Sequence, residues 1–183
     1  MDNGASSYRR FLNGDERAFD LIMEELFYPL VFFIDRYVQD VHTAEDIAMD
    51  VFSDLIVHPH RYHFRVSLKT YLFMLGRSRA LDCLRHRKVL TMVELSEATQ
   101  TSDGAPSLEE LVLTDERKRA VNTALSALPE PLRMAVHLVY FEDLSYEETA
   151  RVMKKNRKQV DNLLYRAKKE LRIILGKDGE RIL

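Results

Sequence analysis

The stretch Ser145–Arg172, SYEETARVMKKNRKQVDNLLYRAKKELR, constrains the fold more than any other part of the chain. It reads as two short helices joined by a tight turn. Ser145 is placed to cap the first helix, and Glu148 stands three residues on, the capping-box spacing. That helix is expected to run to about Met153, with Thr149, Val152 and Met153 inward. Lys154 and Lys155 make the turn, and Asn156 is a good N-cap for a second helix. In the second helix Val160, Leu163, Leu164, Ala167, Leu171 and Ile174 form one apolar stripe. The opposite side carries Arg157, Lys158, Asp161, Asn162, Tyr165, Arg166, Lys168, Lys169 and Arg172. Such a helix can be the solvated face of an ordinary bundle. It can equally bring cations to phosphates and its N-terminal side chains to base edges in a major groove. The stretch alone leaves both readings open.

Helical spacing of apolar residues recurs almost everywhere else, so a nearly all-α protein is expected. With 46% hydrophobic and 31% charged residues the chain can bury a core and is not mainly disordered. The single Cys83 excludes an internal disulfide framework and fits a reducing cytosol. The N-terminus has no apolar h-region, and no apolar run approaches the roughly 20 residues of a membrane span. A cytoplasmic protein without membrane insertion is therefore expected.

The net charge of −2 hides strong segregation. Residues 1–60 carry 4 Lys/Arg against 12 Asp/Glu, and residues 61–88 carry 8 against 1. Residues 89–150 again carry 4 against 12, and residues 151–172 carry 9 against 2. Two basic blocks separated by acidic ones suggest two contacts with a polyanion.

Taken in order, Asp15 is a plausible N-cap for a helix that buries Ala18, Phe19, Ile22, Leu26 and Phe27. Pro29 is expected to kink or break it. A second segment, Leu30–Val38, contributes Leu30, Phe33, Ile34 and Tyr37 to the core. Thr43–Asp46 resembles a capping-box start. Behind it Ile47, Val51, Phe52, Leu55 and Ile56 make an apolar stripe. The outer face carries Glu45, Asp46, Met49, Asp50, Ser53 and Asp54. On physics alone that face reads as solvated, and the alternative is a docking face centred on Met49.

Pro59 stops this helix, and His58, His60 and His63 crowd the loop that follows. Zinc sites usually want four ligands and Cys83 is distant, so no metal is expected. A loop of aromatics and cations also suits an unstacked base. Ser67 can cap a helix from Leu68 to about Arg87, with Leu68, Tyr71, Leu72 and Leu75 on one stripe. After Gly76 the apolar positions move to Ala80, Leu81 and Leu84. The helix either bends near Gly76 or is covered on two sides. Tyr62, Phe64, Tyr71 and Phe73 interleave with the basic residues, as single-strand binding would need.

Thr91–Glu110 has Ser/Thr/Gly/Pro punctuation and no Lys or Arg, and reads as an acidic linker. The expected organisation is a helical domain over 1–90, a linker over 91–113 and a second helical domain over 114–177. The second comprises a helix Glu116–Ala127, a helix Glu130–Phe141 and the opening pair, a helix-turn-helix four-helix domain. In Glu130–Phe141, Leu132, Ala135, Val136 and Val139 are expected to face inward.

Together these segments resemble the extracytoplasmic-function sigma factors of bacterial RNA polymerase, over roughly residues 13–175. Ala44–Phe52 (AEDIAMDVF) is similar to the family's AEDLVQEVF-like helix. Leu68–Arg85 is similar to its TWL…ALD…LR segment. Leu128–Arg133, Leu144–Ala150 and Val160–Leu171 are similar to its C-terminal helix-turn-helix domain. The resemblance implies a promoter-specificity subunit with no catalysis and no cofactor. It implies that Glu45, Asp46, Met49, Asp50, Ser53 and Asp54 meet the clamp helices of the largest subunit of core RNA polymerase. Arg61, Tyr62, Phe64, Arg65, Arg77, Ser78, Arg79 and Arg85 would hold the melted −10 promoter element. Arg157, Lys158, Gln159 and Asn162 would read the −35 element, with Arg166 and Lys169 beside them at the DNA. An anti-sigma factor is the family's usual regulator. Met49, Tyr71, Ser78 and the Lys154–Asn156 turn depart from the family's Gln, Trp, Asn and Gly-apolar-Ser.

A stand-alone helix-turn-helix regulator would explain the C-terminal block but leave 61–88 and the acidic helix without a role. An enzyme built on the three histidines has no nucleophile–base pairing to support it.

Overall fold

The computed structural model describes residues 4–94, 121 and 123–175. Every regular element among the described residues is helical. The chain divides into two compact units, Met1–Ser107 and Leu108–Leu183.

The first unit is built around α2 (Arg17–Val38), which packs against α1 (Ala5–Leu12), α3 (Val41–Val57) and α4 (Leu68–Glu94). Its core holds Tyr8, Ile22, Leu26, Leu30, Phe33, Ile34, Phe52, Leu55, Leu68, Leu72 and Phe73. The sequence did not suggest α1, whose one buried side chain is Tyr8.

Pro29 neither breaks nor ends α2, which passes through it as one helix. The missing N–H costs roughly 3 kcal/mol locally. Full burial of Leu30, Val31, Phe33 and Ile34 in the next turns outweighs that. Asp15 does not cap α2 with its side chain. It pairs instead with Arg10 at 2.6 Å. Gln39, at φ 53, closes α2, and its N–H donates to the Asp35 carbonyl.

The cap of α3 is Asp40, not Thr43. The Asp40 carboxylate accepts the His42 N–H at 3.2 Å and the Thr43 hydroxyl at 2.6 Å. Arg87 of α4 reaches the same carboxylate at 3.2 Å. The Thr43 hydroxyl, with help from Arg87, holds the Asp40 carboxyl below its ordinary value. Ile47, Val51, Phe52 and Leu55 are buried as expected, but Ile56 is exposed.

Ser67 caps α4 by accepting the Thr70 N–H at 3.2 Å. The helix continues past Arg87 to Glu94, into the stretch read as linker. The rest of that linker lies outside the described residues, as does most of Glu116–Ala127. Gly76 is buried, and a Cβ there would meet Leu30 Cδ1 at 2.8 Å and Ile34 Cδ1 at 3.2 Å. The glycine lets α4 approach α2 closely, and Leu68, Leu72, Gly76 and Ala80, all buried, carry one face of α4 straight through that point.

In the second unit, residues 123–126 are helical and α5 (Glu130–Val136) follows Pro129. The chain then widens into a π turn, His137–Phe141. Leu132, Ala135 and Val136 are buried, Val139 partly so, and Met134, His137 and Leu138 join the core. His137 Nε2 lies 3.2 Å from Glu142 Oε1, and both residues are buried. The pair α6 (Tyr146–Met153) and α7 (Arg157–Leu175) completes the unit. Both α5 and α6 pack on α7.

Candidate nucleic-acid interface

The α6–α7 pair is held by local chemistry at each end. Ser145 and Glu148 form a reciprocal capping box, with the Glu148 N–H donating to Ser145 Oγ and the Ser145 N–H to Glu148 Oε2. Thr149, Val152 and Met153 are buried. At the far end of α6 Lys154 is left-handed, at φ 54 and ψ 47. The Lys155 N–H donates to the Ala150 carbonyl at 2.8 Å and the Lys154 N–H to the Arg151 carbonyl at 3.2 Å. This is a Schellman closure, normally completed by glycine. The turn therefore keeps the glycine-type geometry with a lysine in it.

A second reciprocal box opens α7. The Gln159 N–H donates to Asn156 Oδ1 at 2.8 Å, and the Asn156 N–H donates to Gln159 Oε1 at 2.9 Å. Val160, Leu164, Ala167 and Leu171 are buried and Leu163 partly so, while Ile174 is exposed rather than inward.

All six residues expected to meet a duplex, Arg157, Lys158, Gln159, Asn162, Arg166 and Lys169, are exposed. Their spacing lays Lys158, Asn162, Arg166 and Lys169 along one side of α7. Among the described residues, two of the six already have partners. Gln159 serves the capping box, and Arg157 Nη1 lies 3.1 Å from Glu147 Oε1. Tyr165 projects from the same exposed side with 72% of its surface accessible. Helical spacing alone places it on that side. Lys168 lies over the Tyr140 ring at 5.6 Å, and a hydrogen bond to Tyr140 raises its pKa.

In the first unit the basic block is less open than its sequence suggests. Tyr62 is 3% exposed and sits in the core, not on the loop surface. Its hydroxyl donates to the Val66 carbonyl at 2.7 Å, and its ring lies 5.0 Å from Tyr71 and 5.6 Å from Tyr8. Burial raises the Tyr71 pKa. Phe73 is fully buried, so neither Tyr62 nor Phe73 is placed to stack on a base from outside. Phe64, half-buried at φ 58, is the aromatic at the loop surface.

Arg65 is exposed, while Arg77, Ser78 and Arg79 are half-buried on α4. Arg85 pairs with Asp82 at 2.7 Å. His58 Nδ1 contacts Asp54 at 2.9 Å, and among the described residues no group of three or more His, Cys, Asp and Glu is arranged to hold a metal.

The acidic side of α3 divides in two. Asp46, Met49, Asp50 and Ser53 are exposed and Glu45 partly so, with Met49 49% accessible. Asp54, expected on the outer face, turns inward, its side chain only 12% exposed. It accepts from Arg61 at 2.9 Å and lies 3.7 Å from Arg79, so it anchors the loop to α3.

Comparison with known proteins adds to this geometry. The Sigma-70 region 2 family model matches residues 25–89, and the Sigma-70, region 4 model matches residues 118–171. The RNA polymerase sigma-H factor of Pseudomonas aeruginosa is 28% identical over 170 residues, covering 88% of each chain. The ECF RNA polymerase sigma factor SigM of Bacillus subtilis is 27% identical over 149 residues, 79% of this chain and 87% of that protein. Among solved structures, the fold resembles the sigma factor RpoE of Bartonella quintana, solved in complex with the anti-sigma factor NepR. The TM-score is 0.69 at 19% identity, over 87% of this chain and 98% of that one. With a region 2 unit, a region 4 unit and these relatives, the chain belongs to the sigma-70 family, as an extracytoplasmic-function RNA polymerase sigma factor.

Proposed function

We propose that this sigma factor grips promoter DNA at two points while docked on core RNA polymerase, and catalyses no reaction itself. The observation that carries the reading is one cationic surface on each compact unit, with an acidic, Met49-centred face on α3 beside the first. Residues 1–90 dock and hold the −10 element, residues 91–113 link, and residues 114–177 read the −35 element. On α3, Asp46, Met49, Asp50 and Ser53, with Glu45 at their edge, meet the clamp helices of the largest polymerase subunit. Asp54 supports that face from inside.

Phe64, Arg65, Arg77 and Ser78 contact the opened −10 strand, with Arg61, Arg79 and Arg85 contributing charge. Tyr62 shapes the loop from below. On α7, Lys158 and Asn162 reach base edges, Arg157 and Gln159 do so where they exchange their present partners, and Arg166 and Lys169 meet phosphates. The work is cytoplasmic. An anti-sigma partner is in keeping with the NepR complex of the Bartonella relative.

Run-off transcription with purified core polymerase on a genomic promoter library tests this. The protein should bind core and redirect it to a distinct promoter set. Tight operator binding without any effect on polymerase would favour a stand-alone regulator and sink the reading. Within it, Asp50→Lys should weaken core binding without unfolding the chain, because Asp50 is exposed. Unchanged core affinity would remove α3 as the docking face.

A further inference from the structure

Phe64 holds a backbone conformation, φ 58, that a bulky aromatic rarely adopts. Such a residue persists only where its surroundings over-determine it, and the surroundings here are partly α1. The Phe64 ring lies 4.6 Å from Tyr62 and 6.1 Å from Tyr8. The Arg9 guanidinium sits over it, 4.7 Å from the ring centroid. Tyr8 is fully buried, and its hydroxyl donates to the Leu55 carbonyl of α3 at 2.8 Å. Burial pushes the Tyr8 pKa up to about 12, so the hydroxyl keeps its proton as donor at any working pH. α1 is therefore tied to α3 and cannot drift from the loop without breaking a buried hydrogen bond. The region 2 match begins at residue 25, beyond α1.

We propose that Arg9 is a positioning residue for the −10-reading loop, acting through Phe64. Its planar cation covers the ring and holds the left-handed residue in place, so that the loop meets the strand already shaped. Released from Arg9, Phe64 can relax to negative φ, which redirects the backbone between Tyr62 and Val66. This inference rests on the assignment of the loop to the −10 element.

The test uses holoenzyme with the full chain and a promoter carrying 2-aminopurine in the non-template strand of the −10 element. Wild-type holoenzyme should raise the fluorescence as the base unstacks. No rise for the wild type would remove the −10 assignment, and Arg9's role with it. Given that rise, Arg9→Ala should lower the opening equilibrium about two- to fivefold. Binding to core polymerase and to a −35 duplex should be unchanged. Phe64→Leu should also lower opening, and adding Arg9→Ala to it should cause no further loss. Additive losses, or Arg9→Ala opening as well as wild type, would overturn the proposal.

If Phe64→Leu fails to fold, the salt dependence of Arg9→Ala decides. An unchanged slope supports action through Phe64, and a slope shallower by about 0.7 per charge marks a direct phosphate contact to single-stranded DNA and refutes it.

Discussion

Lys154 gives the sharpest test of the helix-turn-helix geometry. At φ 54 and ψ 47 it occupies the left-handed region, which costs an L-residue about 1–2 kcal/mol. Glycine there escapes the steric cost but loses about 0.5–1 kcal/mol more chain entropy on folding. Lys154→Gly should thus stabilise the second unit by about 0.5–1 kcal/mol. Losing a cation at the C-terminus of α6 removes about 0.3 kcal/mol of that gain. Lys154→Ala loses the same cation and keeps the strain, so the glycine–alanine difference isolates the backbone and should be about 0.5–1 kcal/mol. For a unit of this size that is a shift in Tm of about 2–8 °C. The assay is urea unfolding followed by far-UV circular dichroism, with amide exchange at Val160 and Leu164 reporting on the second unit. A glycine variant no more stable than the alanine variant would refute a left-handed Lys154.

Further outcomes follow from other contacts. Gly76→Ala gains about 1 kcal/mol of helix propensity but overpacks against Leu30 and Ile34 at a cost of about 1–3 kcal/mol, so thermal unfolding should show a net loss of about 1 kcal/mol. Lys169→Ala should weaken −35 duplex binding and reduce the log–log salt slope by about 0.9. Arg157→Ala should reduce it less, because Glu147 already neutralises that cation at 3.1 Å; equal slope changes would contradict the pairing. Asp40→Ala should destabilise by about 1 kcal/mol at neutral pH through loss of the α3 cap. The folded Asp40 pKa is lowered from 3.8, so its contribution is present above that value and lost as pH falls through the lowered one. Urea midpoints of variant and wild type should converge as falling pH protonates the Asp40 carboxyl of the wild type.

The α6–α7 pair was legible because its determinants are local. Both capping boxes span three residues, and the buried stripe from Val160 to Leu171 follows helical spacing. The loop and α3 were less legible because partners distant in sequence decide them. Tyr62 reads as one more aromatic in a basic block, yet Tyr8 and Tyr71 enclose it from two other helices. Pro29 reads as a breaker because the cost of a missing N–H is local, while the burial that outweighs it is tertiary. Eight residues with one buried side chain gave α1 too little periodicity to register. The His137–Glu142 pair is not legible in the sequence, because nothing in the spacing of residues 137–142 separates a π turn from the end of an α-helix.

Asp54 is where these two kinds of information meet. Its place in the acidic stripe of α3 suggests a docking residue, equivalent to Asp50. Its contacts with His58, Arg61 and Arg79 make it the point where α3, loop and α4 are joined. Three nearby positive or donor groups around a carboxylate 12% exposed mean that its removal leaves cations without their counter-charge. Asp50, on the same helix but 73% exposed, lies 3.6 Å from Arg79. A charge reversal at Asp54 should therefore lower both stability and promoter opening, whereas the same change at Asp50 should lower core affinity alone. If core binding and −10 opening are mechanically linked in this unit, the linkage runs through Asp54, because its carboxylate ties α3 to the loop and to the basic half of α4.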